Sequence, residues 1–301
     1  MTFARAPGKL VISGAYAVLT GAPALVVAVD RYVLADSARG ATFLTPEVHA
    51  ALGERAAPWF DASALREGGK KLGLGSSAAI LVASLAALEL AKEPALKDDE
   101  LCARVYERAF LAHRAAQGGG SGVDVAASAH GGVLCARRSP SGALELSRQT
   151  LPSTLEFEVW ACPLSASTSA FLARIAEFAA RAPAAHARCI DAQAEAARSA
   201  LDAAERGHGA DFVGAIARQV TTLSALGEAA GIGIVTPDLA ELARLAGTHG
   251  AAFLPAGAGG GDVAYWVGAS AAPPEFAARA RELGLSRVQL TLGARGVHSA
   301  D

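Results

Sequence analysis

The sequence is poor in lysine, charge and cysteine, and each shortage narrows what the chain can be. Only five lysines stand in 301 residues, and charged residues make up 19% of the chain, below the usual quarter or so. The net charge is −2, so no bulk field draws the chain to nucleic acid or to an anionic membrane. Cys102, Cys135, Cys162 and Cys189 lie far apart with no CxxC pair, which argues against a zinc site or a disulfide framework. Buried free thiols are expected instead. No window approaches about eighteen uninterrupted apolar residues, so no membrane span is expected. The opening MTFARAPGKL lacks the apolar run of a secretory leader, and a cytoplasmic location is the expectation.

What is present is a large apolar fraction, 52%, enough for one large core or two medium ones. ALVVAVDRYVLADS is the strongest strand signal, with β-branched residues and partial alternation. Residues 37 to 69 are turn-rich, and ATFLT within them is expected to be a short strand. Helices are expected at 77 to 92 and 98 to 116, the second capped by Asp98 or Asp99 and buried through Leu101, Val105, Phe110 and Leu111. GGVLCARR and GALELSR read as a hairpin around Ser139-Pro140-Ser141-Gly142. From LEFEVWACPL onward, strands and five further helices alternate; one helix starts with Thr236 as cap and Pro237 at its first position. The pattern is α+β with two cores, divided at residues 1–153 and 154–301.

Three glycine clusters carry the chemistry. In KLGLGSSAAILVAS, Gly73, Leu74, Gly75, Ser76, Ser77 and Ala78 precede an apolar helix. Either a serine caps that helix, or its N-terminal N–H groups are left bare so that a phosphate can lie against them. No lysine follows the last glycine, so this is not the usual P-loop. PAGAGGGD, with Gly257, Ala258, Gly259 and Gly260, has almost no side-chain bulk and calls for unusual backbone angles or close approach to a ligand. In GGGSGVDVAAS, Asp124 starts a helix, where an acid is favourable for the dipole alone or can stand near a substrate oxygen. Lys9, in APGKLVISGAYAVLTG, is either a surface cation or the partner that lowers the pKa of a carboxylate such as Asp124.

These segments, in this order, resemble the motifs of the GHMP kinase superfamily, and within it the phosphomevalonate kinase branch. VAVDRYV after the first motif, Lys70-Lys71 before GLGSSAA, AAQGGGSGVDVAAS followed by GGVLCARR, and SASTSAFL at 165 to 172 carry that likeness. The resemblance implies an N-terminal domain like domain 2 of ribosomal protein S5 and a ferredoxin-like C-terminal domain. It implies ATP and Mg2+, with residues 73 to 78 on the ATP phosphates and Ser77 on the metal. Lys9 and Asp124 would be the catalytic pair. Ser121, Ser167, Thr168, Ser169 and the loop Gly257 to Gly260 would meet a small anionic acceptor, phosphomevalonate by this likeness. Mevalonate or a phosphorylated mevalonate destined for decarboxylation are the other acceptors, and a homodimer is compatible with the pattern.

Two motif positions depart from the family. Ala15 stands where the family carries a glutamate, and Leu254-Pro255-Ala256 stands where phosphomevalonate kinases carry Lys-Pro-Ser. Each loss removes a polar group; one charge-assisted hydrogen bond is worth about 1.5–3 kcal/mol. A kinase-derived binding protein is therefore the alternative to an enzyme. Arg137 and Arg138 could pair with an anion. His113 and His130 flank Asp124 without metal-ligand spacing, which favours structural roles. Trp59, Trp160 and Trp266 read as core anchors.

Overall fold

The computed structural model describes residues 3–165 and 167–300. Along the chain run β1 (Phe3–Ser13), a single 3-10 turn at Ala17–Thr20, β2 (Ala24–Gly40), α1 (Pro46–Leu52), β3 (Pro58–Asp61), β4 (Arg66–Glu67) and β5 (Lys70–Lys71). Next come α2 (Ser76–Lys92), α3 (Asp98–Ala116), α4 (Val123–His130), β6 (Val133–Arg138), β7 (Leu144–Gln149) and β8 (Glu156–Ala161). Then follow α5 (Thr168–Arg181), α6 (Pro183–Glu205), α7 (Gly209–Ala230), α8 (Pro237–Thr248), β9 (Ala252–Pro255) and β10 (Val263–Gly268). The chain closes with α9 (Pro274–Glu282), β11 (Ser286–Val288) and β12 (His298–Ala300). No described helix is long and apolar enough to cross a membrane.

Two units form. One holds residues 1–10, 26–134 and 290–301; the other holds 11–25 and 135–289. β1, β2 and β6 each contribute residues to both.

In the first unit the strand order is β12-β1-β2-β6, with β3 paired antiparallel to β2. Helix α2 is buried almost all round, from Ala78 to Ala87 and at Leu90, as expected of a helix apolar on every face. It packs against α1, α3 and α4. On α3 the buried residues are Leu101, Cys102, Val105, Ala109, Phe110, Ala112 and His113. Leu111, expected on that face, is 59% exposed; Leu101, Val105, Ala109 and Ala112 keep the helical period and Leu111 falls outside it. Neither Asp98 nor Asp99 caps α3. The cap position is Lys97, whose N–H donates to Glu100 Oε2 at 3.2 Å. ATFLT is no strand, because Thr45 Oγ1 accepts the Val48 N–H at 3.3 Å and Pro46 opens α1.

In the second unit a four-stranded antiparallel sheet runs β11-β8-β10-β9. Trp160, Leu239, Leu242, Phe253, Trp266 and Phe276 fill one core beside it. The Phe276 ring meets Trp160, Phe253 and Trp266 in edge-to-face contacts at 5.9, 5.1 and 4.7 Å, each worth about 0.5–1.5 kcal/mol beyond burial. Trp160 and Trp266 are core anchors, while Trp59 in the first unit lies under the Arg39 guanidinium at 4.0 Å. All four cysteines are free, Cys102 and Cys135 buried.

Candidate functional site

The start of α2 is not capped by a serine side chain. Gly75 occupies the cap position in a left-handed conformation, φ 74°, and no side chain caps the helix. Ser76 and Ser77 are its first helical residues and no acid stands in the first turn. The opening N–H groups thus keep their donor capacity and partial positive charge. A side chain at Gly75 has no room: a Cβ there would lie 2.9 Å from Lys9 Cγ and Cε. Lys9, on β1, is laid along this loop. Its backbone N–H donates to Leu74 O at 2.9 Å and its Nζ to Gly73 O at 3.4 Å.

Asp124 lies in the first turn of α4, again after a left-handed glycine, Gly122, with no side-chain cap. Gly122 is required because a Cβ would sit 2.3 Å from the Phe110 ring. Asp124 Oδ1 accepts the Val125 N–H at 3.0 Å, and Oδ2 is 3.3 Å from His113 Nε2. Burial alone would raise the Asp124 pKa, but His113, by charge and hydrogen bond, and then Lys9 bring it down to about 2. His113 is 3% exposed. Its burial favours the neutral ring, yet Asp124 and Glu47 outweigh that and raise its pKa above the ordinary 6.5, against the opposing charge of Lys9. His113 has no metal-ligand spacing to mark it in the sequence; it meets Asp124 because α3 and α4 pack together.

Glu47 is the other residue missed. It sits on α1, 5% exposed, and its Oε1 accepts from Gln117 Nε2 at 3.1 Å. Burial pushes its pKa up, but Gln117, its own backbone and the hydroxyls of Thr45 and Ser77 pull it below the ordinary value. Ser121 is half-buried, its Oγ accepting the Val123 N–H at 3.5 Å. The first unit therefore brings together Lys9, residues 73 to 78, Asp124 and, beside them, His113 and Glu47.

In the second unit the glycine loop joins β9 to β10. Gly257, Gly259, Gly260 and Gly261 all have positive φ. The Gly260 N–H donates to Ile234 O at 2.8 Å, the Asp262 N–H to Leu164 O at 2.9 Å, and Tyr16 Oη to Ala258 O at 2.6 Å. The loop is therefore joined to the segment that enters α5, where Ser165 Oγ donates to Asp262 Oδ1 at 2.8 Å. Ser167 is the cap of α5, its Oγ accepting the Ala170 N–H at 3.3 Å and lying 3.0 Å from Ser169 Oγ; Thr168 is the first residue of that helix.

Ala15 gives the first motif no carboxylate, and the backbone around it is held by two buried glutamines. The Gly14 N–H donates to Gln219 Oε1 at 3.0 Å, Gln193 Nε2 to Ala15 O at 3.4 Å, and Gln219 Nε2 to Ser13 Oγ at 2.7 Å.

Comparison with known proteins follows the same lines. Residues 61–132 match the family described as GHMP kinases N terminal domain. The phosphomevalonate kinase of Streptomyces sp. (strain CL190) is 30% identical, the alignment covering 86% of this chain and 87% of that protein. Among solved structures, the Lin0012 protein of Listeria innocua superposes with a TM-score of 0.84 at 22% identity, covering 100% of this chain and 99% of that one. Streptococcus pneumoniae phosphomevalonate kinase, in complex with phosphomevalonate and AMPPNP, superposes with a TM-score of 0.76 at 20% identity, over 97% and 100% of the two chains.

Proposed function

Since the chain belongs to the GHMP kinase family, we propose that it is a cytoplasmic phosphomevalonate kinase that uses ATP and Mg2+. An oxygen of the acceptor's phosphate attacks the γ-phosphorus, the bond to the β-phosphate oxygen breaks, and ADP leaves.

The observation that carries the choice of acceptor is the likeness to a phosphomevalonate kinase, 30% identical over 86% of this chain, and the state of Asp124 is compatible with it. A carboxylate held down to about 2 is ionised at neutral pH and takes a proton poorly from an alcohol. A phosphate acceptor brings an oxygen that is already ionised and asks for no base. Asp124 then orients the acceptor, and Lys9 balances charge on the transferred group. The bare N–H groups of residues 76 to 78 donate to the triphosphate. On the acceptor we place Ser121, Ser167, Thr168, Ser169 and the loop Gly257 to Gly260. At Gly257 no atom lies within 4 Å of where a Cβ would be, whereas Gly259 and Gly261 are crowded by backbone.

The residues present fit a magnesium ion. Ser77 offers a hydroxyl at the start of α2, and the buried Glu47 Oε2 beside it has no hydrogen-bond partner. Both are hard oxygen donors of the kind the ion prefers. We assign Ser77 as its ligand; when bound, the ion neutralises charge on the nucleotide phosphates.

The test is ADP release with ATP and Mg2+ against phosphomevalonate, mevalonate, mevalonate diphosphate, homoserine and galactose, with products weighed by mass spectrometry. Phosphomevalonate is expected to turn over fastest and gain one phosphoryl group. Faster turnover of mevalonate, or carbon dioxide released from mevalonate diphosphate, overturns the acceptor. Bound ATP with no turnover on any of them overturns the enzyme reading.

A further inference from the structure

An acid in the first turn of a helix has an ordinary use, complementing the helix dipole from the surface. Glu47 does not fit it, because it is buried. A buried carboxylate is expensive unless it is paired and its lone pairs are filled. Among the described residues no lysine, arginine or histidine makes an ion pair with Glu47 within 4.0 Å. Gln117 serves Oε1, and Oε2 has no hydrogen-bond partner. The helix that carries it, α1, packs against α2, whose first turn holds the Ser77 hydroxyl. A buried carboxylate oxygen without a hydrogen-bond partner thus lies on a helix packed against one whose start no side chain caps.

Asp124, the other acid of the cluster, is not available in the same way. Its Oδ1 accepts the Val125 N–H and its Oδ2 faces His113. No group of three or more His, Cys, Asp or Glu residues is arranged for a metal among the described residues. A cation at this place would therefore be completed from outside the protein. That is the habit of Mg2+, which is usually held by one or two carboxylates, water and substrate phosphates rather than by a protein cage.

We propose that Glu47 is the carboxylate that receives the divalent cation of the nucleotide, its Oε2 acting with Ser77 Oγ and phosphate oxygens. The assignment rests on the ATP reading above. It brings the site an acid from a helix that the motifs do not include. Gln117 serves only Oε1, which leaves Oε2 for the metal.

The experiment is a titration of Mn2+ into the full chain with saturating AMPPNP, followed by loss of the free Mn2+ signal in electron paramagnetic resonance. AMPPNP binding in the presence of EDTA is measured separately, and thermal melting reports the fold. Glu47→Gln is expected to weaken Mn2+ in the ternary complex by about tenfold or more, while metal-free AMPPNP binding changes less than about twofold. Glu47→Asp, which keeps the charge on a shorter arm, is expected to lie in between. Gln117→Ala, which removes the partner and keeps the carboxylate, is expected to retain most of the Mn2+ affinity. Unchanged Mn2+ affinity in folded Glu47→Gln overturns the assignment and leaves Glu47 as a tie between α1 and α3. Equal loss in Gln117→Ala and Glu47→Gln overturns it too, since the effect then comes from packing. Failure of the wild-type chain to bind AMPPNP at all is a different result, and overturns the ATP reading itself.

Discussion

GLGSSAA and PAGAGGG share a composition and use it in opposite ways. At the first, glycine clears space for another side chain: Gly75 makes room for Lys9 and the helix beyond it opens without a cap. At the second, glycine clears space for the chain itself. A Cβ at Gly259 would lie 2.4 Å from Ile234 O, and one at Gly261 would lie 2.7 Å from Leu164 O. The loop's donors also go to its own unit, through Gly260 to Ile234 and Asp262 to Leu164. One cluster opens a helix whose first donors no side chain takes, and the other spends donors of its own on holding a turn, so a count of glycines alone does not tell how a loop uses them.

Substitutions can break or sharpen that contrast. The largest effect is expected at the residue served by the first cluster: Asp124→Asn lowers kcat by about a hundredfold to a thousandfold, with the melting curve little moved. Next, Gly259→Ala forces a left-handed alanine against a backbone carbonyl. It is expected to cost about 2–4 kcal/mol of stability, read by urea unfolding. Gly75→Ala sits at a similar φ but meets the flexible stem of Lys9. Its expected cost is about 1 kcal/mol in stability and about tenfold in nucleotide affinity by calorimetry. Equal stability losses at the two glycines would erase the contrast.

The smaller effects concern charge and capping. Asp124 is lowered below its ordinary 3.8, so its contribution is full above that pH and is lost as pH falls towards about 2. His113 is raised above its ordinary 6.5, so its contribution is full below that pH and is lost as pH climbs through the raised value. The stability lost in His113→Gln is therefore expected to be greatest between about pH 4 and 6.5, measured as a difference in melting temperature across pH. Smallest is Ser167→Ala, which removes the α5 cap and costs about 1 kcal/mol or less.

Much of the fold was legible because it is local. The alternation of β2, the apolar run of α2 and the Thr236-Pro237 start of α8 each sit within one window of sequence. Thr45 was misread for the opposite reason: its β-branched side chain suits a strand, but the following proline makes it a cap. The motif residues Lys9, Ser77 and Asp124 were visible as small or charged residues at loop ends. Glu47 was not, since its partner Gln117 is 70 positions away and nothing nearby in sequence marks it as buried. Gln193 and Gln219 were hidden likewise, in alanine-rich helices where a glutamine normally faces water.

The pairing of β1 with β12, Phe3 opposite Ala300 and Arg5 opposite His298, has a consequence for synthesis. β1 receives its outer neighbour only when β12, far along the chain, has been made. At about 5–20 residues per second, that interval is on the order of 15–60 seconds on the ribosome. Throughout it, one edge of β1 is open to any other strand. The early part of that edge carries Arg5 and Pro7, a charge and a residue that cannot donate to a ladder, the two devices that keep a waiting edge from pairing with the wrong chain.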